Sequence, residues 1–159
     1  MAIEPMDDVL QINKAKTKFR EAYNSCDVDR LLSVFDDQGF TNMSEEQASF
    51  YGVAARKALR SDAEALFAEY AVHVSVIINR IALMGSTAYD YGWHEFVLTP
   101  RTGGVTVLKR QRYFELWTKS PQCQWKITLY MNNRDVREVL NGSSSRWFMS
   151  EESVQGPIL

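Results

Sequence analysis

Apolar and polar residues repeat along this chain with two different periods, and the change falls near residue 70. From about Asp8 to Ser25, Ile12, Ala15, Phe19, Ala22, Tyr23 and Cys26 recur at steps of three and four. Lys14, Lys16, Lys18 and Arg20 fill the other positions, which predicts an amphipathic helix with a basic outer face. Asp7 or Asp8 can cap its start, where a carboxylate accepts free amides. Asp27 is a good N-cap for a second, short helix whose apolar stripe is Val28, Leu31, Leu32 and Phe35. Asp36-Asp37-Gln38-Gly39 breaks it, and Gly39 to Met43 predicts a short strand. Ser44-Glu45-Glu46-Gln47 fits a capping box and predicts a brief helical turn. A third helix is expected from about Val53 to Ala68, with Ala55, Leu59, Ala63, Leu66 and Phe67 as its stripe.

Beyond it the period becomes two. Val72 to Leu83 is rich in β-branched residues and too long for one flat strand, so a bulge or bend is predicted within it. Thr87 to Thr99, Val105 to Thr118 and Gln124 to Asn133 complete four long strands, joined at Gly85-Ser86, Pro100 to Gly104 and Lys119 to Gln122. Helices first and a strand meander after is an α+β layout. Strands of this length must coil, which predicts a cone-shaped, curved antiparallel sheet of about four long strands and a short one, wrapped around three N-terminal helices. Residues 1–140 form the expected domain. Residues 141–159 read as a tail in which a Ser-rich linker precedes the apolar knot Arg146-Trp147-Phe148-Met149, docked or disordered.

Composition narrows the function classes. A chain of 159 residues suits one domain and needs no metal or disulfide to be stable. Its net charge of −2 supplies no global basic field for nucleic acid. Lys109, Arg110 and Arg112, interleaved with Gln111 and Tyr113, read as a strand edge. No apolar run is long enough for a membrane helix, and the acidic N-terminus lacks the order of a signal peptide, so a cytoplasmic protein is expected. Cys26, Cys123, His73 and His94 show no zinc spacing, and no phosphate loop, dinucleotide fingerprint or nucleophile elbow occurs; no cofactor or metal is expected.

The stretch from Ala22 to Asp37, the Gly52 that precedes the third helix, Ala88 to Gly92, and Tyr113 to Trp117 followed by Trp125-Lys126-Ile127 resemble, in order and spacing, the nuclear transport factor 2-like superfamily. The likeness is to its SnoaL-like and ketosteroid-isomerase-like branch and spans roughly Gln11 to Asn133. It implies a pocket inside the cone and, often, a homodimer. It does not imply chemistry, because one fold hosts many functions. The isomerase branch pairs an aspartate base with a tyrosine and a protonated aspartic acid. By position those roles fall on Met43, beside Asn42, on Phe19, and on Arg112 or Tyr113, so a steroid isomerase mechanism is not expected.

Strand alternation, aligned through that resemblance, points Tyr91, Trp93 and Glu95 into the cone and Asp90 and His94 outwards. On the fourth strand Leu129, Met131 and Asn133 would face in; on the third, either Arg110 and Arg112 or Gln111 and Tyr113. Glu95 beside Trp93 and Met131 would be desolvated into the range of a general acid or base, with Tyr91 or Arg112 polarising a substrate. Glu95 could equally pair with Arg112 and merely close the cone. Phe19, Tyr23, Phe35, Met43, Trp93, Leu129, Met131 and Asn133 are the candidate ligand-binding residues, against plain core packing. The expected function is binding of a small apolar organic ligand, with proton-transfer turnover of the isomerase, cyclase or hydratase kind within reach. The alternative is a non-enzymatic homodimeric module with a filled interior, joined through the outer sheet face.

Overall fold

Both periods are realised in the computed structural model of the chain, which describes residues 5–45 and 47–135. The first gives helices α1 (Pro5–Asn24), α2 (Val28–Leu32) and α3 (Val53–Glu69). The second gives long strands β3 (Tyr70–Met84), β4 (Thr87–Pro100), β5 (Val107–Lys119) and β6 (Trp125–Arg134). Two short strands, β1 (Phe40–Met43) and β2 (Phe50–Gly52), precede α3. The six strands form one sheet in the order β2-β1-β6-β5-β4-β3; β1 runs parallel to β6 and every other neighbour is antiparallel. The sheet curves without closing, and α1 packs into its concave side. The α+β layout is as expected, and the tail at 141–159 lies outside the described residues.

Local signals explain the element ends. Asp27 caps α2 by accepting from the Arg30 amide at 2.9 Å. Asp7 and Asp8 do not cap α1, because the helix opens earlier and places them in its first turn. Asp8 instead accepts from Lys119 Nζ at 2.7 Å and Trp125 Nε1 at 3.0 Å, pinning the start of α1 to the β5–β6 hairpin. Those two hydrogen bonds hold its carboxyl below the usual range. No helix forms at the described residues of the expected capping box; Ser44 donates to Asn42 Oδ1, and the segment connects β1 to β2 as a hairpin. Arg56 of α3 donates to the Leu32, Phe35 and Asp36 carbonyls, which satisfies the open end of α2.

Two bulges set which residues face inwards. β3 and β4 pair residue for residue up to Ile78 opposite Gly92, and the next partners are Arg80 and Tyr91, so Asn79 is the extra residue. Gly92 is required there: a Cβ would lie 2.0 Å from the Ile77 carbonyl oxygen. In β6, Leu129 faces Leu116 but Ile127 faces Trp117, leaving Thr128 extra. The core at the narrow end is built from Ile12, Phe19, Leu31, Phe35, Trp117 and Ile127, all essentially solvent-free. Among the described residues no helix is long and apolar enough to cross a membrane.

The close approach at the β3 bulge makes Gly92→Ala costly, since backbone rather than a movable side chain occupies the space. The expected loss is about 3 kcal/mol, read as a lower urea midpoint, whereas Gly103→Ala in the open β4–β5 loop should lose less.

Candidate functional site

α1 carries a stripe of Ile12, Lys16, Phe19 and Tyr23, each four or three residues from the last, and all four side chains are buried. Lys16, expected on the basic outer face, is therefore part of the inner face. Directly beneath it Asp90 of β4 and Glu115 of β5 are cross-strand partners. Two carboxyl groups set opposite each other without solvent repel, and a cation between them removes that repulsion. Lys16 Nζ donates to Glu115 Oε2 at 2.6 Å and to Asp90 Oδ1 at 3.1 Å, and Trp117 Nε1 donates to the other Asp90 oxygen at 2.6 Å. The side chains of Lys16, Asp90 and Glu115 are 3%, 0% and 0% exposed.

One ammonium thus faces two buried carboxyl groups. Burial pushes Glu115 well above the usual carboxylate range, with the Asp90 charge adding and Lys16 opposing. Glu115 Oε1 has no hydrogen-bond partner among the described residues. The Lys16 ammonium also sits 3.9 Å from the Tyr113 ring centroid. Tyr113 in turn stacks on His94 at 4.2 Å, and Phe19 covers the other imidazole face at 5.1 Å. Burial, and secondarily Lys16, push His94 well below the ordinary imidazole value and keep it neutral. Its Nδ1 lies 3.4 Å from the Tyr130 hydroxyl. This polar column fills the narrow half of the cone.

The wide half is hollow. A cavity of about 410 Å³ opens between α3 and the mouth ends of β4, β5, β6 and β1. Tyr23, Phe96 and Tyr130 floor it, with Tyr23 and Phe96 meeting edge to face at 5.5 Å, and Leu59, Leu66 and Leu98 continue the apolar wall. Asn42, Gln111 and Asn132 converge on it from three strands. Glu45 at the rim accepts from Gln111 Nε2 at 3.1 Å and pairs with Lys109 at 3.0 Å. Burial raises its pKa, but these two donors outweigh it and hold the carboxyl below its ordinary range.

The expected site residues separate accordingly. Phe19, Tyr23 and Phe35 face inwards, and Tyr23 reaches the cavity, while Phe19 and Phe35 pack beneath it. Tyr91, Trp93 and Glu95 do not face the cone: Tyr91 is 36% exposed, and Asp90 and His94 take the inner positions instead. Glu95 pairs with Arg110, not Arg112, and Arg110 also holds Asp135 at 2.9 Å and lies over the Trp93 ring at 5.1 Å. Arg112 is exposed and donates to Asn133. Leu129, Met131 and Asn133 lie on the convex face because the Thr128 bulge reverses the alternation that Trp125 and Ile127 begin; Tyr130 and Asn132 face in. Met43 shares the outer side of β1 with Thr41, and Asn42 takes the inner one. On β5, Gln111 and Tyr113 are the inward pair.

Comparison with solved structures gives the architecture a name. A nuclear transport factor 2-like superfamily protein from Salmonella enterica serovar Typhimurium superposes with a TM-score of 0.70 at 12% identity, over 89% of this chain and 100% of its own. A ketosteroid isomerase-like protein from Erwinia carotovora atroseptica gives 0.69 at 16% identity, over 82% and 98%. A nuclear transport factor 2-like protein with a cystatin-like fold from Novosphingobium aromaticivorans gives 0.63 at 17%, over 87% and 86%. This chain has the nuclear transport factor 2-like fold. No protein-family model matches the sequence, and no curated protein sequence does either. Among the described residues no three His, Cys, Asp or Glu side chains gather as a metal site requires.

The buried column predicts opposed pH responses. His94 has a depressed folded pKa, so its contribution to stability is present above pH 6.5 and is lost as pH falls below that value. Glu115 has a raised one, so its contribution is present below pH 4.5 and is lost as pH rises through the folded value. Where the windows overlap, between 4.5 and 6.5, the slopes oppose, and the lowered Asp8 and Glu45 act only beneath that interval. Glu115→Gln should therefore lose stability on acidification in this range, and His94→Phe should gain on acidification. Urea midpoints across pH 4.5–6.5 check both signs; slopes equal to that of the parent protein in both variants would refute the assignment.

Proposed function

We propose that this protein binds a small, largely apolar organic molecule in the mouth of its cone. The observation that carries this reading is the 410 Å³ cavity, with an aromatic floor and polar side chains converging from three strands. Ligand sites typically begin near ~300 Å³ and combine an apolar wall with a few placed polar groups. Asn42, Gln111 and Asn132 would orient the ligand's polar end, and Tyr23, Phe96 and Tyr130 would stack on its body. Glu95 is on the convex face, and Glu115, the carboxyl that burial does raise, is sealed below the floor. The arrangement accordingly favours binding over proton transfer.

A thermal-shift screen of small aromatic and alicyclic compounds tests this. At a hundredfold excess over Kd a binder should raise Tm by roughly 5–10 °C. Ala65→Trp, at an exposed α3 position lining the cavity, should abolish the shift while leaving the free protein's Tm little changed. Compounds that stabilise both proteins equally bind elsewhere, and a screen without binders removes the reading.

We also propose that a second copy covers the convex face of the sheet. Tyr89 stacks with Tyr91 at 6.5 Å and with Phe114 at 5.9 Å, and Met131 joins them at 38% exposure. This face is more apolar at its middle than the inner one, which carries Asp90, His94 and Glu115 there. Sedimentation at micromolar concentration should give twice the 18.3 kDa chain mass, and Phe114→Glu should return a monomer. A monomeric parent protein would rule this out.

A further inference from the structure

The charges around the cavity point to the chemistry of its occupant. Three carboxylates line it, Glu45, Asp62 and Glu69, against one ammonium, Lys109. That ammonium is already engaged, 3.0 Å from Glu45 Oε1, the same oxygen that accepts from Gln111. Among the described residues, Asp62 and Glu69 of α3 have no cation in the lining, and Asp62 accepts from the neutral Gln47 amide at 2.8 Å. Arg101, the cation at the end of α3, donates to the Phe67 carbonyl and is outside the lining. Burial, and secondarily the charge of Asp62, pushes the pKa of the Tyr23 hydroxyl up. Burial raises Tyr130 likewise, with Glu45 adding.

Aromatic faces complete the pattern. Tyr23, Phe96 and Tyr130 form the floor, and Tyr70 stands at the edge. Ring faces attract cations, and in a partly desolvated hollow the attraction is stronger than at a surface. An anion entering here would meet three like charges and would have to break the Lys109–Glu45 pair to find a partner; an organic ammonium meets neither obstacle.

Resting on the binding reading above, we infer that the cavity selects a small organic cation, an aromatic or alicyclic amine, with its ammonium held toward Asp62 and Glu69 and its ring on the tyrosine–phenylalanine floor. Carboxylate and phosphate ligands are selected against by the same groups.

Calorimetric titration at pH 7 with phenethylamine, 2-phenylethanol and phenylacetate tests this, since the three share a ring and differ in charge. Phenethylamine should bind at least tenfold more tightly than phenylacetate, with the neutral alcohol between them. Raising NaCl from 0.05 to 0.5 M should narrow that margin severalfold. The double variant Asp62→Asn, Glu69→Gln, at two exposed positions, should lose the preference for the amine and retain the affinity for the alcohol. Phenylacetate binding as tightly as phenethylamine, or a preference unchanged in the double variant, overturns the inference and leaves the cavity reading standing. Failure of all three probes to bind at millimolar concentration overturns both.

Discussion

A buried ammonium between two buried carboxyl groups is the constraint on which the rest of this molecule depends. The β4–β5 register puts Asp90 opposite Glu115, and neither side chain reaches water. Left alone, one would repel the other in a medium of low dielectric. Lys16 resolves this only if α1 lies along the concave face with one rotation and one height, because its neighbours Ile12 and Phe19 must enter the apolar layers on either side. Ion clusters of this kind contribute little net stability, since desolvation offsets most of the attraction. What this one supplies is definition: a helix shifted by one turn would strand three polar groups.

The same cluster decides where the hollow is. Lys16, Glu115, Tyr113 and His94 occupy the narrow and middle levels of the cone, stacked or hydrogen bonded to one another. They leave no room for a ligand there, and they give the aromatic floor a rigid support. Tyr130 is the junction, since its ring faces the cavity and its hydroxyl meets His94. The 410 Å³ cavity lies at the mouth, between α3 and the sheet.

The layout of elements was legible in the sequence because periods of 3.6 and 2 are unambiguous over runs of ten residues or more. The facing of the strands was not, for two physical reasons. On β4 the usual rule is inverted at mid-strand: Asp90 and His94 are inside, Tyr91 and Trp93 outside. Hydrophobicity there reports a convex face able to take a partner, not the core. On β6 the bulge at Thr128 changes phase within one strand, so alternation extended from Trp125 and Ile127 puts Leu129, Met131 and Asn133 on the wrong side. One signal was available and informative. Lys16 sits four residues after Ile12 and three before Phe19, inside the apolar stripe, and a lysine in that place requires acidic partners within the fold.

That lysine also shows why a likeness of fold at 12–17% identity does not carry a mechanism. The interior of this cone is shared with its structural neighbours as a shape, but its contents follow from local requirements of charge. Once two carboxyls face each other across β4 and β5, the helix must supply a cation. Once the cation is present, burial and its charge keep His94 neutral, and the middle of the cone becomes a filled, polar column. Among the described residues, Glu115 is the carboxyl that burial raises, and it is sealed against Lys16 and away from the cavity. The cavity at the mouth is rimmed by exposed groups of α3, Asp62, Ala65 and Glu69, that the core constrains only weakly. These positions can change without disturbing the fold, so the chemistry of this protein has to be read from its own rim.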